Sequence, residues 1–211
     1  MTKLSSIVLL IISISITSTY FGQENKMENK NVAIDSRMTL KEALAGLTIP
    51  PEIKEQLTLI NVKYYGFDGK IHSGELVVNK RVEKNIESIF MKLLSIKFPI
   101  ERVVPISKYN WDDEKSMQAN NTSAFNYRVI KGTKRLSKHS YGLAIDINPL
   151  LNPYVKKNSV EPEGAVYNPE LPGTIAEDSE VVKIFKSYGW NWGGDWTRGK
   201  DYQHFEKPYT R

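Results

Sequence analysis

Ser137-Lys138-His139-Ser140-Tyr141-Gly142-Leu143-Ala144-Ile145-Asp146 is the stretch around which the chain is organised, and Asp201-Tyr202-Gln203-His204-Phe205-Glu206 answers it near the C-terminus. The first offers an imidazole and a carboxylate, with Gly142 between them as a place for the backbone to turn. The second offers another imidazole, with one carboxylate three residues before it and another two after. Two imidazoles and one carboxylate suffice as the protein ligands of a catalytic zinc, leaving a fourth position for water. A further, unligated carboxylate beside that water is what metal-assisted hydrolysis needs as a general base.

The rest of the composition narrows this chemistry. The 211-residue chain has no cysteine and only three histidines, His72, His139 and His204. Disulfides and thiolate zinc sites are therefore excluded, and a transition metal must be held by His and carboxylate. The net charge of +5 comes from lysines scattered along the chain, which predicts a solvated surface and no nucleic-acid groove. A mildly basic surface suits an anionic polymer such as a bacterial wall.

Working outward, Lys3 precedes the apolar run 7–16, followed by small and polar residues around Ser18 and Thr19. This is the pattern of a secretory signal peptide, too short for a spanning helix of ~20 residues. We read 1–22 as that signal, 23–38 as a flexible polar leader and 39–211 as a single domain. The mature protein is expected to be exported, periplasmic or secreted, with no stable membrane anchor after cleavage.

Thr39-Leu40-Lys41-Glu42 has capping-box spacing and predicts a short helix ending near Gly46. Residues 59–67 and 71–78 alternate around Asp68-Gly69, which predicts a β-hairpin. Val82, Ile86, Ile89, Phe90, Leu93 and Leu94 recur at helical spacing over 81–96. Segments 103–106, 125–130, 143–147 and 203–206 read as strands, 149–172 as a proline-dotted surface loop, and 181–188 as a helix closed by Gly189. Mixed order with hairpins predicts an α+β fold with a mainly antiparallel sheet and helices packed on it.

Within 143–147, Leu143, Ile145 and Ile147 alternate with Ala144 and Asp146, so Asp146 projects from the face opposite the large aliphatics. A carboxylate in such a strand needs a partner, either a cationic side chain or a bound cation.

Taken together, Ser-x-His-x-x-Gly-x-Ala-x-Asp (137–146), Trp-Gly-Gly-x-Trp (192–196) and Asp-x-x-His-Phe-Glu (201–206) resemble the D-alanyl-D-alanine carboxypeptidase and L-alanyl-D-glutamate endopeptidase family. These are zinc peptidases of bacterial peptidoglycan that share the hedgehog/DD-peptidase fold, and the likeness covers about Leu76 to Glu206. It implies one Zn2+ held by His139, Asp146 and His204, and Asp201 as the catalytic acid–base. It also implies Arg128 as the arginine that steadies an oxyanion or holds a substrate carboxylate. Ser137, Trp192 and Trp196 become candidate contacts to substrate, and Glu206 a hydrogen-bond acceptor for a ligand histidine. Asn120, Asn121 and Ser123 are placed near the same cleft, and His72 on the surface without a role. The expected activity is hydrolysis of peptidoglycan stem peptides, with removal of a terminal D-Ala favoured. An L-alanyl-D-glutamate endopeptidase and a non-catalytic zinc-containing wall-binding module are the alternatives.

Overall fold

A computed structural model describes residues 32–208. The chain divides into a segment ending at Ala33 and a compact unit from Ile34 onward, and the architecture below is that of the second unit. The signal segment and the leader up to residue 31 lie outside the described residues. At the far end of the segment read as leader, Asp35 donates its N–H to the Ser73 carbonyl, and Ser36 donates its hydroxyl to Glu75.

Thr39 starts helix α1 (Leu40–Ala43) through the expected capping box, and Pro50 precedes the single turn α2 (Pro51–Lys54). The hairpin of β1 (Leu57–Tyr65) and β2 (Ile71–Asn79) is antiparallel, with Leu57 opposite Asn79 and Tyr65 opposite Ile71. Both of its faces are covered. Ile60, Val62, Tyr64, Leu76 and Val78 enter the main core, while Leu57 and Val77 pack with Ala43, Leu44, Ile53 and Phe125. That is why Leu76-Val77-Val78 reads as a continuous apolar run instead of an alternation.

Helix α3 (Glu83–Ser95) lays Ile86, Ile89, Phe90 and Leu93 into the main core. Burial of each such side chain contributes about 1.5–3 kcal/mol, so one face of this helix fastens it to β1. Beyond it, β3 (Arg102–Val103) pairs in parallel with β4 (Asn121–Thr122), and α4 (Asp113–Gln118) lies between them in sequence.

The strands that carry the motifs come next. β5 (Ala144–Asp146) pairs antiparallel with β10 (His204–Glu206), whose other edge receives β8 (Asn191–Trp192). Leu143, Ile145, Ile147, Trp192 and Phe205 all point into the main core, where α5 (Glu180–Ser187) adds Val181, Val182 and Phe185. The opposite face of this small sheet is thereby left to carry chemistry. A fourth sheet joins β6 (Tyr154–Lys156), β7 (Ser159–Glu161) and β9 (Lys200–Asp201).

The architecture is α+β, and its strands are distributed among several small sheets instead of one. Two local expectations are corrected. Segment 125–130 is not a strand: Asn126 and Arg128 bond the turn around His139, and Val129 and Ile130 meet Leu136 and Arg135 only in an isolated antiparallel bridge. Segment 149–172 is not all loop, because it contains the β6–β7 hairpin. Among the described residues no helix is long and apolar enough to cross a membrane.

Candidate metal centre and active-site cleft

Register brings the two motifs together. His204 lies directly opposite Asp146 in the β5–β10 pair, so their side chains leave the sheet on the same face. His139 arrives from the 3-10 turn Lys138–Tyr141. Ser137 caps this turn by accepting the His139 N–H at 3.3 Å. Gly142 ends it with φ of +63°, and a Cβ there would lie 2.5 Å from the Asn79 nitrogen. Glycine is thus required both by its dihedral and by the close pass of the hairpin.

The segment before the turn holds it from the other side. Asn126 donates its N–H to the His139 carbonyl at 3.2 Å, Arg128 donates its N–H to Ser140 Oγ at 2.9 Å, and Ser137 donates its N–H to the Arg128 carbonyl at 3.0 Å. The backbones of Asn126 and Arg128 are therefore committed to positioning the His139 turn.

Three ligand atoms converge. His139 Nε2 lies 3.1 Å from Asp146 Oδ2, His204 Nδ1 lies 2.9 Å from Asp146 Oδ1, and the two ring nitrogens are 3.2 Å apart. The outward nitrogens settle the tautomers. His139 Nδ1 faces the Ala124 carbonyl at 2.5 Å, and His204 Nε2 faces Glu206 Oε2 at 3.4 Å. Both outer partners are acceptors, which suits protons on the outer nitrogens and leaves the inner ones available to ligate a cation in place of a proton. Two imidazole nitrogens and a carboxylate, all buried and within 4.8 Å of one another, are held together by positive charge among them, whether a proton or a metal cation.

Electrostatics carries the same message. Burial would raise the Asp146 carboxyl, yet His139 and His204 hold it well below the usual carboxylate range. Burial would lower His204, yet its bonds to Asp146 and Glu206 push it up to about 10. A site this demanding of positive charge, built from two imidazoles and one carboxylate, fits a divalent cation of the zinc class.

These groups line one cleft of about 830 Å³ together with Asp113, Arg128, Ser137, Tyr154, Trp196, Asp201, Gln203 and Glu206. Asp201 is delivered by β9, where it lies opposite Tyr154 of the hairpin that sequence reading took for loop. Burial, with the nearby Asp146 charge, pushes its carboxyl up to about 7 against the pull of His204, Arg128 and Gln203. Its Oδ1 is buried without a protein partner, as is Oε1 of Gln203. Gly193 makes room for this arrangement, since a Cβ there would lie 2.8 Å from the Asp201 Cβ and 3.2 Å from the His204 Cβ.

The tryptophans part company. Trp196 is 37% exposed and walls the cleft, its ring centroid 5.4 Å from that of His204. Trp192 does not contact the cleft. It is 1% exposed, packs with Phe205 and donates its indole N–H to the Tyr202 carbonyl at 2.9 Å. Its side chain follows the core face of β8, which corrects its assignment as a substrate contact.

Asn120, Asn121 and Ser123 are likewise structural. Asn120 Oδ1 accepts the Leu150 N–H, Asn121 bonds both backbone groups of Val104, and Ser123 exchanges backbone bonds with Asp146. His72 is not free on the surface. It stacks on Tyr64 and bridges Asp35 and Asp68, each at 3.0 Å. Sequence reading missed Asp113, Gln203 and the Ala124 carbonyl. Gln203 sits at a variable place inside a motif, and a backbone carbonyl or a helix-start aspartate carries no signal of its own.

Residues 131–207 match a family model described as D-alanyl-D-alanine carboxypeptidase. Over 73 residues the chain is 41% identical to the peptidoglycan L-alanyl-D-glutamate endopeptidase CwlK of Bacillus subtilis (strain 168), a match spanning 33% of this chain and 38% of that protein. This part of the chain is therefore similar to peptidoglycan peptidases, and the chain spans well under half the length of the curated relative it matches. No solved structure gives a significant match. The family segment contains His139, Asp146, Asp201, His204 and Glu206, whereas Asp113 and Arg128 lie outside it.

Proposed function

We propose that this protein is a zinc-dependent peptidase that hydrolyses an amide bond in peptidoglycan stem peptides. The observation that carries the proposal is the convergence of His139, Asp146 and His204 beside a separate buried carboxylate, Asp201, in one cleft. A divalent cation bound by the three would supply Lewis-acid activation of a carbonyl and of water. Asp201 takes a proton from the attacking water and delivers it to the leaving amine. Arg128 meets the negative charge that develops on the carbonyl oxygen or a carboxylate of the substrate. Trp196 forms a wall against the substrate, and Ser137 offers its hydroxyl at the cleft edge. Glu206 keeps the His204 Nε2 proton in place so that Nδ1 remains a ligand.

Of the two candidate bonds, the one between L-Ala and D-Glu is the reading we favour over the terminal D-Ala bond expected from sequence. A cleft of about 830 Å³ is larger than two terminal alanines fill, and CwlK is named for the internal bond. Removal of D-Ala is the second reading, favoured by the family description and by a guanidinium able to take a terminal carboxylate. The substrate implies export, in keeping with the signal-like N-terminus. A non-catalytic wall-binding module has no use for the free, buried Oδ1 of Asp201.

The test is incubation of the purified protein, with and without zinc, on an N-acetylated stem pentapeptide read by mass spectrometry. Release of N-acetyl-alanine that stops on chelation establishes the endopeptidase. Loss of free alanine establishes the carboxypeptidase. Stoichiometric zinc without cleavage overturns the proposal in favour of a binding module.

A further inference from the structure

The structure assigns Asp113 as a positioning residue for Arg128, which ties the aim of the cleft's arginine to helix α4. The inference rests on the proposed reaction and adds to it a residue outside every motif. Asp113 is the first residue of α4, where Asp112 already serves as the N-cap by accepting the Lys115 N–H. Capping therefore leaves the Asp113 carboxylate uncommitted, and it turns to the cleft.

Both of its oxygens are spoken for there. Oδ1 accepts from Asn126 Nδ2 at 3.0 Å, and Oδ2 lies 3.0 Å from Arg128 Nε. The second contact is an ion pair and not a well-aligned hydrogen bond, since Nε has no partner of good geometry. Asn126 and Arg128 are also the residues whose backbones clamp the His139 turn. One carboxylate thus joins the arginine side chain to the segment that seats a metal ligand.

The fork geometry of a guanidinium gives this contact its meaning. Occupying Nε from the side leaves the two terminal nitrogens, the edge suited to a carboxylate or oxyanion, to the cleft that Arg128 lines. Asp113 acts as a brace that restricts the rotamers of Arg128 before substrate arrives, and such pre-organisation lowers the cost of binding.

The experiment is a double-mutant cycle on the zinc-loaded full chain with the stem peptide. Asp113→Asn keeps the shape and the acceptor for Asn126 but removes the charge beside Nε. The expected result is a loss in kcat/KM of about five- to tenfold, scaled for a partly exposed charge pair. The same loss should be absent when Asp113→Asn is placed on an Arg128→Ala background. Asp113→Glu should recover part of it. Zinc stoichiometry and thermal midpoint should not move. Equal losses on both backgrounds, or a shift of the midpoint that accounts for the loss, overturn the assignment. Calorimetric affinity for the peptide reads the same cycle without turnover. Absence of cleavage by the wild type therefore refutes the proposed reaction, while the binding cycle separately decides the role of Asp113.

Discussion

Two histidine clusters in this protein are built from the same parts and do different things. His139 and His204 meet Asp146 with three ligand atoms within 4.8 Å of one another. His72 also has carboxylates at 3.0 Å, but Asp35 is on Nδ1 and Asp68 on Nε2, on opposite sides of one ring. In the first cluster the lone pairs converge on a common point, and the outer ring nitrogens are occupied by Ala124 and Glu206. In the second the ring itself stands between the carboxylates and uses both nitrogens to satisfy them. Convergence makes a site for a cation. Interposition lets the protonated ring itself serve as the cation.

The largest effect that would break this contrast is loss of the metal. His139→Ala should abolish zinc binding, read by elemental analysis, and turnover should fall to background. Asp201→Asn should keep its zinc and lose rate on the order of 10²–10⁴, the worth of a positioned general base. Wild-type-like turnover in that variant would remove Asp201 from the mechanism. Glu206→Gln is expected to weaken zinc affinity by about 10- to 100-fold, because the acceptor that orients His204 loses its charge.

The smallest effect sharpens the other side of the comparison. Burial disfavours charge on His72, but its bonds to Asp35 and Asp68 outweigh this and raise its pKa. A raised folded-state pKa means that the pair stabilises fully below the unfolded value of about 6.5 and that this contribution is lost as pH rises through the folded value. His72→Gln should leave zinc content and turnover unchanged. It should lower the thermal midpoint by about 2 °C below pH 6.5 and by less at alkaline pH, flattening the profile. A loss of bound zinc in this variant would mean that the two clusters are not independent.

Much of the site was legible because motif residues sit on regular alternation. Asp146 was readable as the odd residue on an aliphatic strand, but the register that puts His204 opposite it came only from the structure. Trp192 and Trp196 were not separable, since both stand in one Gly-rich stretch. Only the strand face of Trp192 sends it into the core. Segment 125–130 read as a strand because its apolar residues alternate, but alternation is silent on which partner takes the backbone bonds.

By itself, the sequence determined the absence of thiolate chemistry, the short list of possible ligands, the hairpin, helices α3 and α5, and the family resemblance. These depend on residue type and local periodicity, which are properties of neighbours along the chain. Tertiary structure alone decided that the β6–β7 hairpin places Asp201, that His72 bridges two acids instead of joining the site, and that Asp113 braces Arg128. Apart from the His72–Asp68 bond, four positions apart, each of those rests on a contact between residues 15 to 47 positions apart. Their geometry is set by packing and register, for which a linear pattern holds no signal.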